Sequence, residues 1–398
     1  MTLDVLIIGG GPAGATTALL LAEAGWSVGI VEKKTFPRRK VCGEFISATS
    51  LPLLQKIGMA DFYFEHGGPE VKRVGLYAGA TILTAKMPPA ISSAAKWGRS
   101  LSREHLDKTL LDRAIAAGAK CWQPANAKSL EQKAGLFNCT ISMDNQTEVI
   151  DARLVVMANG SWEKGFDHSI IKTHKPYDLL AFKAHFKNSV LPSDLMPLLA
   201  FPGGYGGLAH CDNQRVTLSC CIRRDTLQHA RKKQPELQAG ETVLRYIMSV
   251  CRGARDVLEH AERDGNWLAA GPIQPGIRSC YKQGIFFVGN IAGEAHPVVA
   301  EGISMAMQSA WLLSQTLIAR QKEIMAGKGA NEAGAEYAKL WHQHFASRIH
   351  AAALFARLAM MPSWAVSLIG PVLKQFPSIL TLSAKLSGKA KQVVPLNN

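Results

Sequence analysis

Apolar positions along the chain follow two rhythms, and the points where one gives way to the other mark its elements. Near the start, "LDVLII" (3–8) is an apolar run of strand length, "PAGATTALLLAE" (12–23) is an alanine-rich stretch of helix length, and "SVGIVE" (27–32) is a second strand. An amphipathic helix is predicted within "GRSLSREHLDKTLLDRAIAAGAK" (98–120), preceded by Ser102 and Arg103. "LAFKAHF" (180–186) and "RVTLSCCIRR" (215–224) alternate or run apolar over strand lengths, which puts Cys220 and Cys221 on opposite faces, unable to line one site together. Further on, "GIFFVG" (284–289) reads as a strand, Pro297 stiffens the loop after it, and "EGISMAMQSAWLLSQTL" (301–317) reads as a helix whose first turn follows Gly302.

The first strand–helix–strand unit carries chemistry. Gly9, Gly11 and Gly14 stand in G-x-G-x-x-G spacing with Pro12 and Ala13 opening the helix. The first glycine allows the tight turn, the second lets backbone approach a pyrophosphate, and the third packs helix on strand. The helix terminus offers unsatisfied N–H groups to phosphate. Glu32, followed by Lys33, ends the second strand 18 residues beyond Gly14, where a carboxylate can accept ribose hydroxyls. A dinucleotide site is predicted, with FAD and NAD both compatible.

Composition narrows the setting. The 398 residues are 47% hydrophobic, enough for a sizeable core and two domains. Eight cysteines show no CxxC pair and no regular spacing, so neither a metal site nor a disulfide framework is expected, and a reducing, cytoplasmic location fits. The net charge of +14 is concentrated late: no acidic residue follows Glu336, while seven lysines and arginines do. "LAMMPSWAVSLIGPVL" (358–373) is uncharged but short and proline-interrupted for a membrane span. A helix pair capping an apolar pocket and a peripheral contact with anionic lipid both fit it. Nucleic acid is not an expected partner, because no aromatic-basic reader motif accompanies the charge.

Over about residues 1–320 the segments resemble, in order, those of the FAD-dependent aromatic hydroxylases, geranylgeranyl reductases and flavin-dependent halogenases. The resemblance implies FAD as cofactor. It places Arg103 against FAD, the strand around Ala127 at adenine, and the stretch Gly289-Asn290 through Pro297 to Gly302 and Ile303 along the ribityl chain and the flavin pyrimidine. Two acids of that pattern are amides here, Asn159 and Asn290, and Ala300 replaces a glycine, which suits it only where φ is negative. The implied architecture is α/β: a Rossmann-like FAD-binding domain (1–60, 98–175, 276–330), a mixed β-sheet substrate domain (61–97, 176–275) and a helical C-terminal region (331–398). With no second glycine fingerprint, NAD(P)H would dock transiently as reductant, or another protein would supply electrons.

Which reaction the flavin performs is less constrained. The loop "RRKVCGEFIS" (38–47) resembles the Lys-x-Cys-Gly loop of geranylgeranyl reductases. Together with Gly160-Ser161-Trp162 and "GGYGG" (203–207) it also resembles hydroxylases of phenolic lipids. The Trp-x-Trp-x-Ile-Pro segment of halogenases is absent, and Lys72 lacks the surroundings of their tunnel lysine. The expected function is a monooxygenase hydroxylating a hydrophobic aromatic or polyketide-derived substrate. A reductase of carbon–carbon double bonds and a non-catalytic FAD-binding protein are the alternatives. Cys42 and Gly43 are expected along the flavin edge, with Cys42, flanked by cations, also a candidate reactive thiol. His296 is a candidate proton relay and Tyr205 a candidate substrate contact.

Overall fold

The computed structural model describes residues 2–90, 95–160, 174–362, 375, 376, 378–389 and 393–395. Two large sheets organise it. The first is built on Leu3–Ile8, whose unbroken apolar run is buried between parallel neighbours Val28–Val31 and Gln146–Met157. Ile285–Phe287 and Lys120–Trp122 extend it in parallel on either side, and Asn126–Lys133 and Leu136–Met143 add an antiparallel ribbon. A sheet of parallel strands must be covered on both faces, which is why these strands lack polar alternation.

Helix α1 (Pro12–Glu23) covers that sheet and buries ten of its residues, from Pro12 to Leu21. Pro12 sits at its first position, where a missing N–H costs nothing. Gly14 is required by packing: a Cβ there would lie 1.8 Å from the carbonyl oxygen of Gly9, itself at φ +109°. Two further helices pack on α1, α2 (Arg103–Ala116) and α3 (Gly302–Ala319). With Trp341 and Phe345 of the 30-residue α4 (Ala330–Ala359), they form the largest apolar core.

The second sheet has seven strands in the order Glu262–Ile273, Leu179–Lys187, Val216–Arg223, Gly204–His210, Leu195–Phe201, Arg73–Ala78, Thr81–Lys86. All pairs are antiparallel except Leu195–Phe201 with Arg73–Ala78. Helices Ala239–Val250 and Arg252–Leu258 cover its back, burying Phe182, Phe186, Leu199 and Cys220. On the other side Ala181, Ala200, Tyr205 and Cys221 pack with Ala356 and Ala359 of α4. Helix α5 (Ser378–Ala384) returns over Arg73–Ala78 and Thr81–Lys86. Among the described residues no helix is long and apolar enough to cross a membrane.

Candidate active site

Between the two sheets lies a cavity of about 890 Å³. Gly9, Gly11, Pro12, Ala13, Glu32, Lys33, Cys42, Gly43, Arg103, Ala127, Tyr205, Asn290, His296, Gly302 and Ile303 all border it. Gly14 stands one layer back, serving packing alone. Residues separated by up to 294 positions therefore converge on one space. Ser161 and Trp162 lie outside the described residues.

At the glycine turn, Glu32 binds backbone as well as facing the cavity. Its two oxygens accept from the amides of Gly10 and Lys34, each at 2.8 Å, so the second strand fixes the turn of the first. Arg103, 8% exposed, donates from Nε and Nη2 to the Asp107 carboxylate at 2.6 and 2.7 Å. Arg38 stands 3.7 Å from both Glu32 and Asp107. Lys40 has no ion-pair partner among the described residues, and burial followed by repulsion from Arg103 and Arg38 lowers its pKa to about 8. Its ammonium is 3.7 Å from where a Cβ on Gly160 would be.

These residues fit a bound dinucleotide. Among the described residues the buried Asn159 Oδ1 has no hydrogen-bond partner, α1 has no side-chain cap, and Lys40 makes no ion pair, although the Asp107 and Glu32 charges act on it. Gly43 and Gly302 border the cavity, yet a Cβ at either meets no protein atom within 4 Å. What they leave free is space for a ligand.

The loop 40–44 joins this region to the second sheet. Cys42 is half-buried; its Sγ accepts from the Glu44 amide at 3.4 Å and interacts with the Arg103 guanidinium. Glu44, at φ +62°, carries its carboxylate into a buried polar knot. There Lys183 donates to Oε1, His185 Nε2 and Thr217 Oγ1 each lie 2.8 Å from Oε2, and the Arg103 amide donates to Oε1 at 3.1 Å. Burial alone would raise the Glu44 pKa, but the His185 hydrogen bond and the Lys183 charge outweigh it and hold it at about 2. Glu44, His185 and Cys211 present ligand atoms within 4.8 Å of one another. Lys183 already supplies the positive charge there, and burial pushes the Cys211 thiol up, away from the thiolate a metal needs.

Sequence reasoning missed this knot. The signal was present in "LAFKAHF": Lys183 and His185 are polar at a two-residue period inside an apolar run, hence on one face of one strand. His185 pairs across to Thr217 on the neighbouring strand.

Two expectations are corrected. Ala300 does occupy the left-handed region, at φ +50° and ψ +43°, closing the turn Pro297–Val299 that leads into α3. The loop imposes that backbone despite the methyl group. Cys220 and Cys221 both border the cavity, although their side chains join cores on opposite faces of the second sheet, as the strand alternation requires.

The remaining wall is largely apolar, though Thr217, Ser219, Glu294, Ser383, Ser387 and Lys389 also border it. Leu76, Leu198 and Leu208 of the second sheet, Leu358 and Met361 at the end of α4, and Ile379 and Leu380 of α5 enclose it. Within it the Tyr205 hydroxyl lies 3.0 Å from Nδ1 of His296. Burial, and then the Arg357 charge, lower His296 to about 4, so its ring is neutral near pH 7. Burial raises Tyr205 well above its ordinary range, with Cys221 adding to the effect.

A parallel sheet with a glycine turn, an acid closing the second strand and a second sheet across one cavity define a dinucleotide-dependent α/β enzyme. The chain belongs to the FAD binding domain family, whose model matches residues 2–339. FAD is its cofactor, and it is an FAD-dependent oxidoreductase. Conditioned medium factor receptor 1 of Dictyostelium discoideum is 24% identical over 339 residues, covering 79% of this chain and 63% of that protein. This chain thus spans less than two thirds of that relative's length. Menaquinone reductase of Mycolicibacterium smegmatis is 21% identical over 410 residues, covering 97% and 91%. Among solved structures, the flavin-dependent brominase Bmp2 shares the fold at a TM-score of 0.76 and 17% identity, covering 98% of this chain and 94% of that one.

Proposed function

We propose that this oxidoreductase is a monooxygenase that hydroxylates a hydrophobic phenolic molecule. The observation that carries the reading is the Tyr205–His296 pair within a largely apolar wall. An aromatic ring bearing a hydroxyl fits such a space, its apolar body against leucines and its hydroxyl at the polar pair. The balanced reaction takes substrate C–H, O₂, NAD(P)H and a proton to substrate C–OH, water and NAD(P)⁺.

In this reading Gly11 and Ala13 present backbone amides to the pyrophosphate beside Pro12, which has no N–H to offer, and Arg38, Lys40 and Arg103 supply its counter-charge. Glu32 receives ribose hydroxyls, Ala127 borders adenine, and Asn290 and Asn159 meet the ribityl chain. The amides of Gly302 and Ile303 face the flavin ring at the start of α3. Bound FAD supplies electron transfer and oxygen activation. Neutral His296 would accept a hydrogen bond from the phenol hydroxyl at a ring nitrogen, which makes the phenol ring more electron-rich, and Tyr205 orients the imidazole. Cys42 shapes the flavin edge through Arg103 and the Glu44 amide.

The test is turnover of alkylphenols by the holoenzyme with NADH or NADPH under ¹⁸O₂. One labelled oxygen per oxidised nicotinamide is expected in the product. A product two hydrogens heavier and free of label would instead establish double-bond reduction, the reading favoured by similarity to menaquinone reductase along 97% of the chain.

A further inference from the structure

We propose that the face formed by α5 and the end of α4 docks onto an anionic lipid bilayer and opens the cavity to it. Twelve large hydrophobic side chains are exposed among the described residues, and six of them, Leu354, Leu358, Phe376, Ile379, Leu382 and Leu386, belong to this one region. Their spacing is helical: 354 and 358 are one turn apart on α4, and 379, 382 and 386 follow i, i+3, i+7 from α5 onward. Clustered exposed apolar side chains of this size mark a contact surface.

Charge selects the occupant. No aspartate or glutamate occurs in residues 73–86, on which α5 packs, or anywhere after Glu336. Exposed Arg357, Lys385 and Lys86 stand around it, and Lys86 is tied to α5 because its carbonyl accepts from Thr381 Oγ1 at 2.8 Å. A second copy does not complement the face, since a two-fold contact would set cation against cation. A bilayer with acidic headgroups satisfies both features, taking the leucines into its interface and the lysines and arginines at its phosphates. Leu358 and Ile379 belong to the exposed patch and to the cavity wall at once, so docking gives an apolar molecule a path that avoids water. That path rests on the apolar-substrate reading above; the docking does not.

Sedimentation of the FAD-loaded protein with phosphatidylcholine vesicles, with and without phosphatidylglycerol, tests it. Capture by the phosphatidylglycerol vesicles is expected, weakened about tenfold or more by roughly 0.5 M NaCl. A Leu382→Asp, Leu386→Asp variant, altered outside the cavity wall, should keep its flavin spectrum and melting temperature and lose capture about tenfold or more. Lys86→Glu with Lys385→Glu should weaken capture at low salt. The proposal is overturned by no capture, by equal capture on phosphatidylcholine alone, by undiminished capture of the leucine variant, or by a solution dimer that the leucine variant splits. Because sedimentation reads binding without turnover, failure to hydroxylate any phenol leaves this result standing, and the converse holds.

Discussion

The Tyr205 hydroxyl and Nδ1 of His296, 3.0 Å apart, join the middle of the second sheet to the loop that opens α3. Burial keeps that histidine neutral, with a pKa of about 4 where an exposed one titrates near 6.5. Between those values the unfolded chain binds the proton and the folded chain does not, so His296 favours folding as pH rises through this window and loses that contribution as pH falls through it. The acceptor form is already complete at neutral pH. Substrate-stimulated turnover should therefore lack an acid limb near pH 6.5 and stay level from about pH 6 to 8 with respect to His296. His296→Asn should cut kcat by about 10²-fold or more with FAD affinity unchanged, read from a pH–rate profile and a flavin titration.

Lys40 offers a separate readout. Its ammonium is depressed to about 8 by burial and by two arginines, and a bound diphosphate would restore the charged form. FAD binding should take up a proton above pH 8, so the affinity of the apoprotein should fall as pH rises through that value. Lys40→Met should weaken FAD binding about tenfold and flatten the pH dependence; flavin fluorescence quenching measures both.

The knot around Glu44 sets acid stability. Its folded pKa of about 2 lies below the 4.5 of an unperturbed glutamate, so its contribution is complete above about 4.5 and is lost as pH falls toward 2. Glu44→Gln leaves the Lys183 charge buried without its counter-ion and should cost about 3–5 kcal/mol in denaturant melts at neutral pH. Glu44→Gln with Lys183→Met removes both charges and should recover most of that loss. Equal destabilisation in single and double variants would show that the pair is not coupled.

Much of the cofactor region was legible because its requirements are local. Gly9, Gly14 and Glu32 lie within 24 consecutive residues, and turn, helix packing and carboxylate each leave a fixed spacing. Asp107 was not singled out, because a carboxylate four positions after the arginine that opens an amphipathic helix looks solvated until its burial against Arg103 is seen. The Glu44–Lys183 contact bridges 139 positions and depends on how the second sheet meets the loop, which no single-segment pattern encodes. The apolar wall likewise required strands and helices from both ends of the chain.

Ala300 gives the last prediction. An alanine in the left-handed region carries roughly 1–2 kcal/mol of steric strain. Glycine removes that strain but adds about 0.4–1 kcal/mol of freedom to the unfolded chain. The strain term is the larger, so Ala300→Gly should stabilise the protein by about 0.5–1 kcal/mol, measured by denaturant unfolding of the apoprotein. The turn's hydrogen bond, the Ala300 amide to the Pro297 carbonyl at 2.9 Å, survives the change, and the path into α3 with it. FAD affinity should therefore hold within about twofold. A destabilised variant would mean that the methyl group makes contacts worth more than its backbone strain, since loss of side-chain packing is the remaining way the substitution can act.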